Sequence, residues 1–167
     1  TITATTATIV IPFGPTGYFA LLDTGSTIKM MNRQTFAVTT IVDPAGGGTT
    51  LPKTGAEYPC SSYKFADTNI LAMRTRAPYG LFAGTQNNQD VIYYVSQPHN
   101  MTACTMKAIW GNGVYPGPTG GNAYDAFQIA YNAFTDDVWW INAGQMLQHA
   151  AVNNGTIFTV QSLRSLL

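Results

Sequence analysis

The segment Asp23-Thr24-Gly25-Ser26 contains the residues whose types and spacing most directly suggest chemistry. It follows the apolar run YFALL (18–22), so a carboxylate would be held at the end of a strand. Gly25 would let the chain turn tightly, and the neighbouring hydroxyl groups would support the carboxylate by hydrogen bonds. Two such carboxylates that share one proton form a general acid–base pair. The same residue types are favoured in a simple turn between two strands, which is the alternative interpretation of Asp23.

The longer segment IVIPFGPTGYFALLDTGST (9–27) resembles the catalytic segment of retropepsin-like aspartic proteases. That family supplies its second catalytic aspartate by dimerising, so one motif in each chain would be enough. The segments AGGGTT (45–50) and LFAG (81–84) lie where the family has a glycine-rich flap and a later apolar-apolar-glycine segment. The resemblance implies a dimeric protease in which Asp23 of each chain acts as acid and base.

Four basic residues lie in segments where strands are expected. Arg74 and Arg76 alternate in LAMRTRA (71–77), so in a strand they share one face. Lys64 and Lys107 could join this face from neighbouring strands. A sheet face with several cations could neutralise phosphates, which makes Lys64, Arg74 and Arg76 candidate RNA-binding residues. The alternative is that these side chains cover the solvated face of a half-buried strand.

The cysteines and histidines do not indicate a metal centre. Cys60 and Cys104 are too few for a four-cysteine zinc site. They are a candidate disulfide, with two free thiols as the alternative. His99 and His149 lack the spacing of metal ligands. Because the sequence also lacks a serine-nucleophile motif and the lysine of a phosphate-binding loop, no metal and no cofactor are expected.

Charged residues are unusually scarce in this chain. They make up 10% of the 167 residues, against about 25% in a typical soluble domain. The eight basic and eight acidic side chains cancel, and a neutral surface does not repel its own copies. Such a composition is typical of secreted proteins, surface appendages and virion proteins. No apolar run is long enough for a transmembrane helix, so no membrane contact is expected.

The order of the predicted elements indicates a single domain (1–167) of the α+β class. Runs of β-branched and aromatic residues predict strands at 1–11, 18–22, 35–42, 61–65, 69–77, 91–96 and 102–110, and a short strand with a hairpin loop is predicted at 81–90. These strands would form one antiparallel sheet of about six to seven strands within residues 1–110. A loop rich in glycine and proline follows at 111–121.

Two helices are predicted within residues 122–152, before a tail at 153–167. Asn122 is a suitable N-cap for the first helix. Its apolar face would consist of residues at three- to four-residue spacing, namely Ala123, Phe127, Ala130, Tyr131 and Phe134. The second helix would cover 138–152, with Trp139, Ala143, Met146, Leu147 and Ala150 along one side.

Strands followed by NAYDAFQIAYNAF (122–134) and WWINAGQMLQHAA (139–151) resemble the architecture of the small coat proteins of single-stranded RNA bacteriophages. The resemblance implies a homodimer whose sheets face packaged RNA while the helices clasp the partner subunit. Tyr131, Phe134, Trp139 and Trp140 are candidate interface residues, because tryptophan and tyrosine are enriched at interfaces.

The sequence is therefore interpreted as a non-enzymatic, self-assembling structural subunit that forms a homodimer and a higher symmetric assembly. The expected location is a virion, with an extracellular location as the alternative. A phage decoration protein, a subunit of an extracellular filament and the protease based on Asp23 are the alternative functions.

Overall fold

The computed structural model describes residues 7–13, 17–52, 55–76, 78, 80–86, 91–111, 128–142, 145–152 and 158–162. Every helix or strand assigned within these residues is a β-strand. The strands form three antiparallel sheets and one short parallel pair. The N-terminal, central and C-terminal sheets are named here by their order along the chain.

The N-terminal sheet is an up-and-down meander with the strand order β1-β2-β3-β4. Its strands are β1 (Ala7–Phe13), β2 (Tyr18–Asp23), β3 (Ile28–Asn32) and β4 (Val38–Val42). Successive residues of β1 alternate between the core and solvent, as the two-residue period of a strand requires. Ile9, Ile11 and Phe13 pack on the core, whereas Val10 points outward and is 55% exposed.

The central sheet has the strand order β6-β11-β10-β9-β8. Its strands are β6 (Tyr58–Pro59), β8 (Asn69–Arg76), β9 (Gly80–Gln86), β10 (Ile92–Ser96) and β11 (Thr105–Trp110). Two further short strands, β5 (Thr49–Thr50) and β7 (Tyr63–Lys64), pair in parallel beside it. A disulfide between Cys60 and Cys104, with Cα atoms 5.4 Å apart, ties the segment after β6 to the segment before β11.

The C-terminal sheet is a second meander, with the order β12-β13-β14-β15. Its strands are β12 (Gln128–Asn132), β13 (Asp137–Ile141), β14 (Met146–Ala151) and β15 (Phe158–Ser162). The prediction of an α+β fold with two C-terminal helices is therefore wrong. No helix occurs in the described part of 122–152; residues 122–127, which include the expected N-cap Asn122, and most of the loop at 111–121 lie outside the described residues.

The residues assigned to the two helical faces do not share a face in these strands. In β12 and its following turn, Ala130 points outward, Tyr131 packs towards the core and Phe134 is 100% exposed at the turn. In β13 the buried residues are Val138 and Trp140, which are two positions apart. The burial therefore follows the period of a strand, and the aromatic residues suit a pleated, half-buried surface.

The central sheet is covered on both faces, so the three sheets form a stack. On β9 and β10, Leu81, Ala83, Tyr93 and Val95 pack towards the N-terminal sheet. The alternating residues Phe82 and Ile92 join a second core with the C-terminal sheet. This explains why β9 reads as a continuous apolar run: six of its seven residues are buried. It also corrects the expectation of one sheet over residues 1–110.

Four hairpin turns belong to two types, each of which occurs twice. Each begins at an Asp or Asn at or directly after the end of a strand, and the side-chain oxygen of this residue accepts a backbone N–H. Each also contains a residue in the left-handed region within two positions of the next strand. The turns after Asp23 and Asn142 place this residue three positions on, at Ser26 and Gln145. The turns after Asn32 and Asn132 place it four positions on, at Phe36 and Asp136.

Candidate functional site

Asp23 is the end residue of β2, and its carboxylate is occupied by local contacts. One oxygen, Oδ1, accepts the backbone N–H groups of Gly25 at 3.1 Å and Thr27 at 3.0 Å. The other oxygen, Oδ2, lies 2.6 Å from Nζ of Lys29 on β3. Both carboxylate oxygens are therefore engaged in holding the β2–β3 hairpin.

The turn after Asn142 repeats this arrangement with a side chain that cannot ionise. The backbone N–H of Asp23 donates to the carbonyl of Thr27 at 3.2 Å, and the backbone N–H of Asn142 donates to the carbonyl of Met146 at 3.1 Å. Asn142 Oδ1 also accepts the N–H of Met146 at 3.0 Å, as Asp23 Oδ1 accepts that of Thr27. Because an amide serves equally in the second turn, the carboxylate of Asp23 is accounted for by turn geometry.

The surroundings of Asp23 favour its charged form. Burial works to raise the pKa of Asp23, but the hydrogen bond and charge of Lys29 and the N–H groups of Thr27 and Gly25 outweigh it. The net effect lowers the pKa below its ordinary value. In an aspartic-protease pair a second carboxylate raises the pKa of one member. Among the described residues, the groups that shift the pKa of Asp23 do not include a carboxylate.

Replacing Asp23 by asparagine is expected to lower the free energy of unfolding by about 0.5–1 kcal/mol at pH 7, since only the ion pair with Lys29 is lost. The amide oxygen can still accept the turn N–H groups, as Asn142 does. A lowered folded-state pKa stabilises the fold above the unfolded-state value of about 3.9 and loses that contribution as the pH falls through the folded-state pKa. Urea unfolding at neutral and strongly acidic pH should therefore show the difference from the wild type only at neutral pH. A difference that persists in strong acid would contradict the ion-pair explanation.

The three candidate RNA-binding cations do not form one surface. Arg74 and Arg76 lie on the same face of β8, and Arg74 is exposed. Lys64 belongs instead to the short parallel pair, where its Nζ donates to the carbonyl of Gly46 at 2.8 Å. Lys107 lies on β11 and faces Glu57 at 3.6 Å. The expectation that Lys64 would join the two arginines from a neighbouring strand is not met, because β9 is the strand paired with β8.

Arg76 connects the central and C-terminal sheets. Its Nε and Nη2 donate to the two carboxylate oxygens of Asp136 at 3.0 and 2.7 Å, and its guanidinium lies 5.4 Å from the ring centre of Tyr94. The hydroxyl of Tyr131 donates to Asp136 Oδ1 at 2.7 Å. Burial works to lower the pKa of Arg76, but Tyr131, Asp136 and Tyr94 raise it overall. The arginine is therefore committed to a contact between sheets rather than to a ligand.

The four candidate interface residues separate into inner and outer positions. Trp140 is 1% exposed, stacks on Trp110 with ring centres 5.6 Å apart, and donates from Nε1 to Gln148 at 2.9 Å. Trp140 is thus a core residue, and Tyr131 serves the contact with Asp136. Trp139 points to the outer face and stacks on His149 at 4.3 Å, and Phe134 is fully exposed. Only Trp139 and Phe134 of this set are placed to meet a partner.

Within the described residues, neither the buried carboxylate of Asp67 nor an open cleft beside β1, β8 and β12 supplies evident catalytic groups. Asp67 is fully buried and lies 2.5 Å from the hydroxyl of Thr85 and 3.4 Å from that of Tyr93. Burial first, and then the neighbouring Asp67, raises the pKa of Tyr93. A cleft of about 260 Å³ where β1, β8 and β12 meet contains no ionisable side chain; it is lined by Ile9, Leu71, Ala72, Met73, Gln128 and Ile129. Within the described ranges, no cluster of three or more His, Cys, Asp or Glu side chains could hold a metal ion.

Sequence reasoning missed the outward apolar surface of the N-terminal sheet. Register pairs place Pro12, Phe19, Met31 and Val38 side by side across its four strands. They form an outer row that ends at β4, whose first three residues are exposed. The alternation of β1 could have indicated this row, since Val10 and Pro12 occupy the positions between the core residues.

Comparisons with known protein families and curated sequences do not assign a family to this chain. Within the described residues, no helix is long and apolar enough to cross a membrane. No protein-family model matches the sequence, and no similar sequence is found among curated proteins.

Proposed function

We propose that this chain is a non-enzymatic structural subunit that assembles with copies of itself, most plainly as the coat protein of a virion. The observation that carries the proposal is the presence of apolar side chains on the outward faces of both outer sheets, from Pro12 to Val38 on one and at Ala130 and Trp139 on the other. When a partner covers such faces, apolar surface is removed from water, and this lowers the free energy of the assembled state relative to the monomer. A decoration layer or an extracellular filament would use the same surfaces.

Both outer faces present apolar side chains to solvent, beside polar ones such as Lys29 and His149. On the N-terminal sheet, Val10 is 55% and Val38 is 43% exposed. On the C-terminal sheet, the outward row includes the exposed Ala130 and the half-buried Trp139. The scarcity of charge and the zero net charge remove the repulsion that would keep copies apart.

The contacts of Asp23 favour this function over the protease alternative, and the contacts of the cations limit the surface available for RNA. The carboxylate of Asp23 is used by a turn that Asn142 reproduces, which weakens the protease interpretation. Lys64 and Arg76 are engaged by Gly46 and Asp136, so the proposal does not include an RNA-binding surface built from the three predicted cations. Arg74 remains the exposed member of that set.

Electron microscopy of the purified protein and two surface variants tests the proposal. Val10→Glu and Ala130→Glu place a charge on the outer face of one sheet each, at exposed positions that the folded monomer should tolerate. Ser61→Glu, at an exposed position away from both faces, is the matched control. We expect the wild type and the control to form regular particles or filaments and at least one outer-face variant to lose them. Regular assembly by both outer-face variants would contradict the proposal.

A further inference from the structure

Strand β4 has an unprotected edge. It is the last strand of the N-terminal sheet in the described part of the chain, and every residue from 33 to 40 is exposed. Phe36 and Val38 are 55% and 43% exposed, and no charged residue occurs between 34 and 42. Proteins usually protect such an edge with lysine, proline or a covering segment, because its free N–H and carbonyl groups can pair with another strand.

The loop that leads into β4 is held in a defined shape. Asn32 Oδ1 accepts the N–H groups of Gln34 and Thr35, both at 2.9 Å, and Thr35 Oγ1 accepts that of Ala37 at 3.3 Å. Phe36 adopts a φ of 57°, which is unfavourable for an aromatic residue, and its side chain is presented to solvent. The edge is therefore ordered before any partner arrives, which reduces the entropy lost on association.

The backbone directions in β4 follow from one hydrogen bond. The N–H of Asn32 donates to the carbonyl of Ala37, so this carbonyl group faces β3. In an antiparallel pair this orientation alternates along the strand. The backbone groups of Thr39 therefore face β3, whereas the N–H and carbonyl groups of Val38 point to the free edge. The register against β3 shifts after Thr40, which ends this regular alternation. Beyond them, Ile41 and Val42 are buried, at 4% and 1% exposure, which limits the accessible part of the edge.

The accessible segment is complementary to itself when a second copy runs antiparallel. Val38 is the centre of the exposed run 36–40, and its backbone groups point outward. The nearest charged residues are Arg33 and Asp43, which lie five positions before and five positions after Val38. An antiparallel arrangement about Val38 brings the cationic end of each strand towards the acidic end of its partner, whereas a parallel arrangement would set like charges together.

We propose that β4 pairs antiparallel with β4 of a second copy about a twofold axis at Val38. This pairing rests on the proposed function and specifies one contact through which copies of the chain would assemble. Val38 would exchange both backbone hydrogen bonds with Val38 of the other copy, and Thr40 would lie opposite Phe36. The pairing joins two four-stranded sheets into one of eight strands. It also joins the two outer rows, because Val38 is the last member of the row that begins at Pro12.

A pair of cysteine variants tests the register directly. Residues directly opposite in an antiparallel pair have Cα atoms about 4.5–5.5 Å apart, within the range of about 4.4–6.8 Å that a disulfide requires. Under mild oxidation, Val38→Cys should give a band of twice the 18.0 kDa chain mass on a non-reducing gel. The control Thr39→Cys should remain monomeric, since this position is displaced along the strand and faces the other side of the sheet. Absence of the Val38→Cys dimer, or an equal yield from Thr39→Cys, would overturn the proposed pairing.

A proline variant tests the backbone hydrogen bonds. Val38→Pro removes an N–H that points to solvent in the monomer, which an edge strand tolerates. Val38→Thr keeps the N–H and is the matched control. In sedimentation equilibrium, Val38→Pro should raise the dissociation constant of the dimer about thirtyfold, because one hydrogen bond is lost from each copy. An unchanged dissociation constant in a folded Val38→Pro protein would refute the contact.

The outcomes separate this contact from the proposed function. Particles that persist in Val38→Pro without cross-linking of Val38→Cys would reject the β4 pairing and leave self-assembly intact. A specific Val38→Cys dimer that never grows beyond two chains would support the pairing and contradict the assembled particle.

Discussion

Replacing Trp140 by alanine is expected to lower the free energy of unfolding by about 3–5 kcal/mol. Trp140 is 1% exposed and fills the core between the central and C-terminal sheets, where it stacks on Trp110. The substitution leaves a cavity and removes the donor of the 2.9 Å hydrogen bond to the buried Gln148. Chemical denaturation followed by far-ultraviolet circular dichroism measures the loss.

The adjacent residue provides the matched control for this prediction. Trp139 has the same side chain and the next position in β13, but it points to the outer face and stacks on His149. Trp139→Ala should therefore cost no more than about 1–2 kcal/mol, because the position is open to solvent. Equal losses from the two variants would contradict the assignment of inner and outer faces to the C-terminal sheet.

Removing the disulfide is the second change with a large expected effect. Cys60 and Cys104 are separated by 44 positions in the chain. Closing a loop of this length reduces the entropy of the unfolded chain by an amount equivalent to about 4 kcal/mol. The double substitution Cys60→Ala and Cys104→Ala should lower the free energy of unfolding by about that amount, as judged by urea denaturation.

Alanine is the suitable replacement because both cysteines are buried, at 5% and 2% exposure, and serine would introduce buried hydroxyl groups. Adding a reductant to the wild type should reproduce the loss, and adding it to the double variant should have no effect. An unfolding midpoint of the wild type that does not respond to a reductant able to break the bond would contradict the stabilising role of this disulfide.

Most of the longer strands of the first 110 residues were accessible to sequence reasoning because each has a local signal, whereas the two-residue strands β5 and β6 were not predicted. β-branched and aromatic runs bounded by glycine, proline, asparagine or aspartate predict where β2, β8 and β10 lie. The division into two stacked sheets was not accessible. This division arises because both faces of β9 are covered by other sheets. The apolar run in the sequence of β9 indicates that both faces are buried, but it does not indicate which elements bury them.

The C-terminal third was misassigned because spacing alone is ambiguous. Ala130, Tyr131 and Phe134 have helical spacing, yet the described strand β12 places them outward, inward and in a turn. The decisive local signals were the turn residues. Asn142 begins the same Asx-x-Gly spacing as Asp23, and Asn132 is followed by a threonine at the same distance as in Asn32. Comparing these four positions predicts hairpins on both sides of β13.

The candidate site residues were identifiable by type but not by partner. Nothing local to Arg76 indicates Asp136, which lies 60 positions away and engages it across two sheets. Asp23 shows the reverse situation, since its partners Gly25, Thr27 and Lys29 are all local. The sequence was sufficient to place Asp23 at the end of a strand. The matching turn at Asn142, where an amide takes the place of the carboxylate, favours a structural role for Asp23 over a catalytic one.

The mass of the oxidised protein in solution, measured by light scattering over a range of concentrations, tests the central claim of self-assembly most directly. Self-assembly should give species larger than the 18.0 kDa chain at all but the lowest concentrations, with growth to a particle or filament of many copies. A single 18.0 kDa species at every concentration would contradict it. A dimer that cleaves peptides in acid, and loses that activity in Asp23→Asn, would contradict it as well.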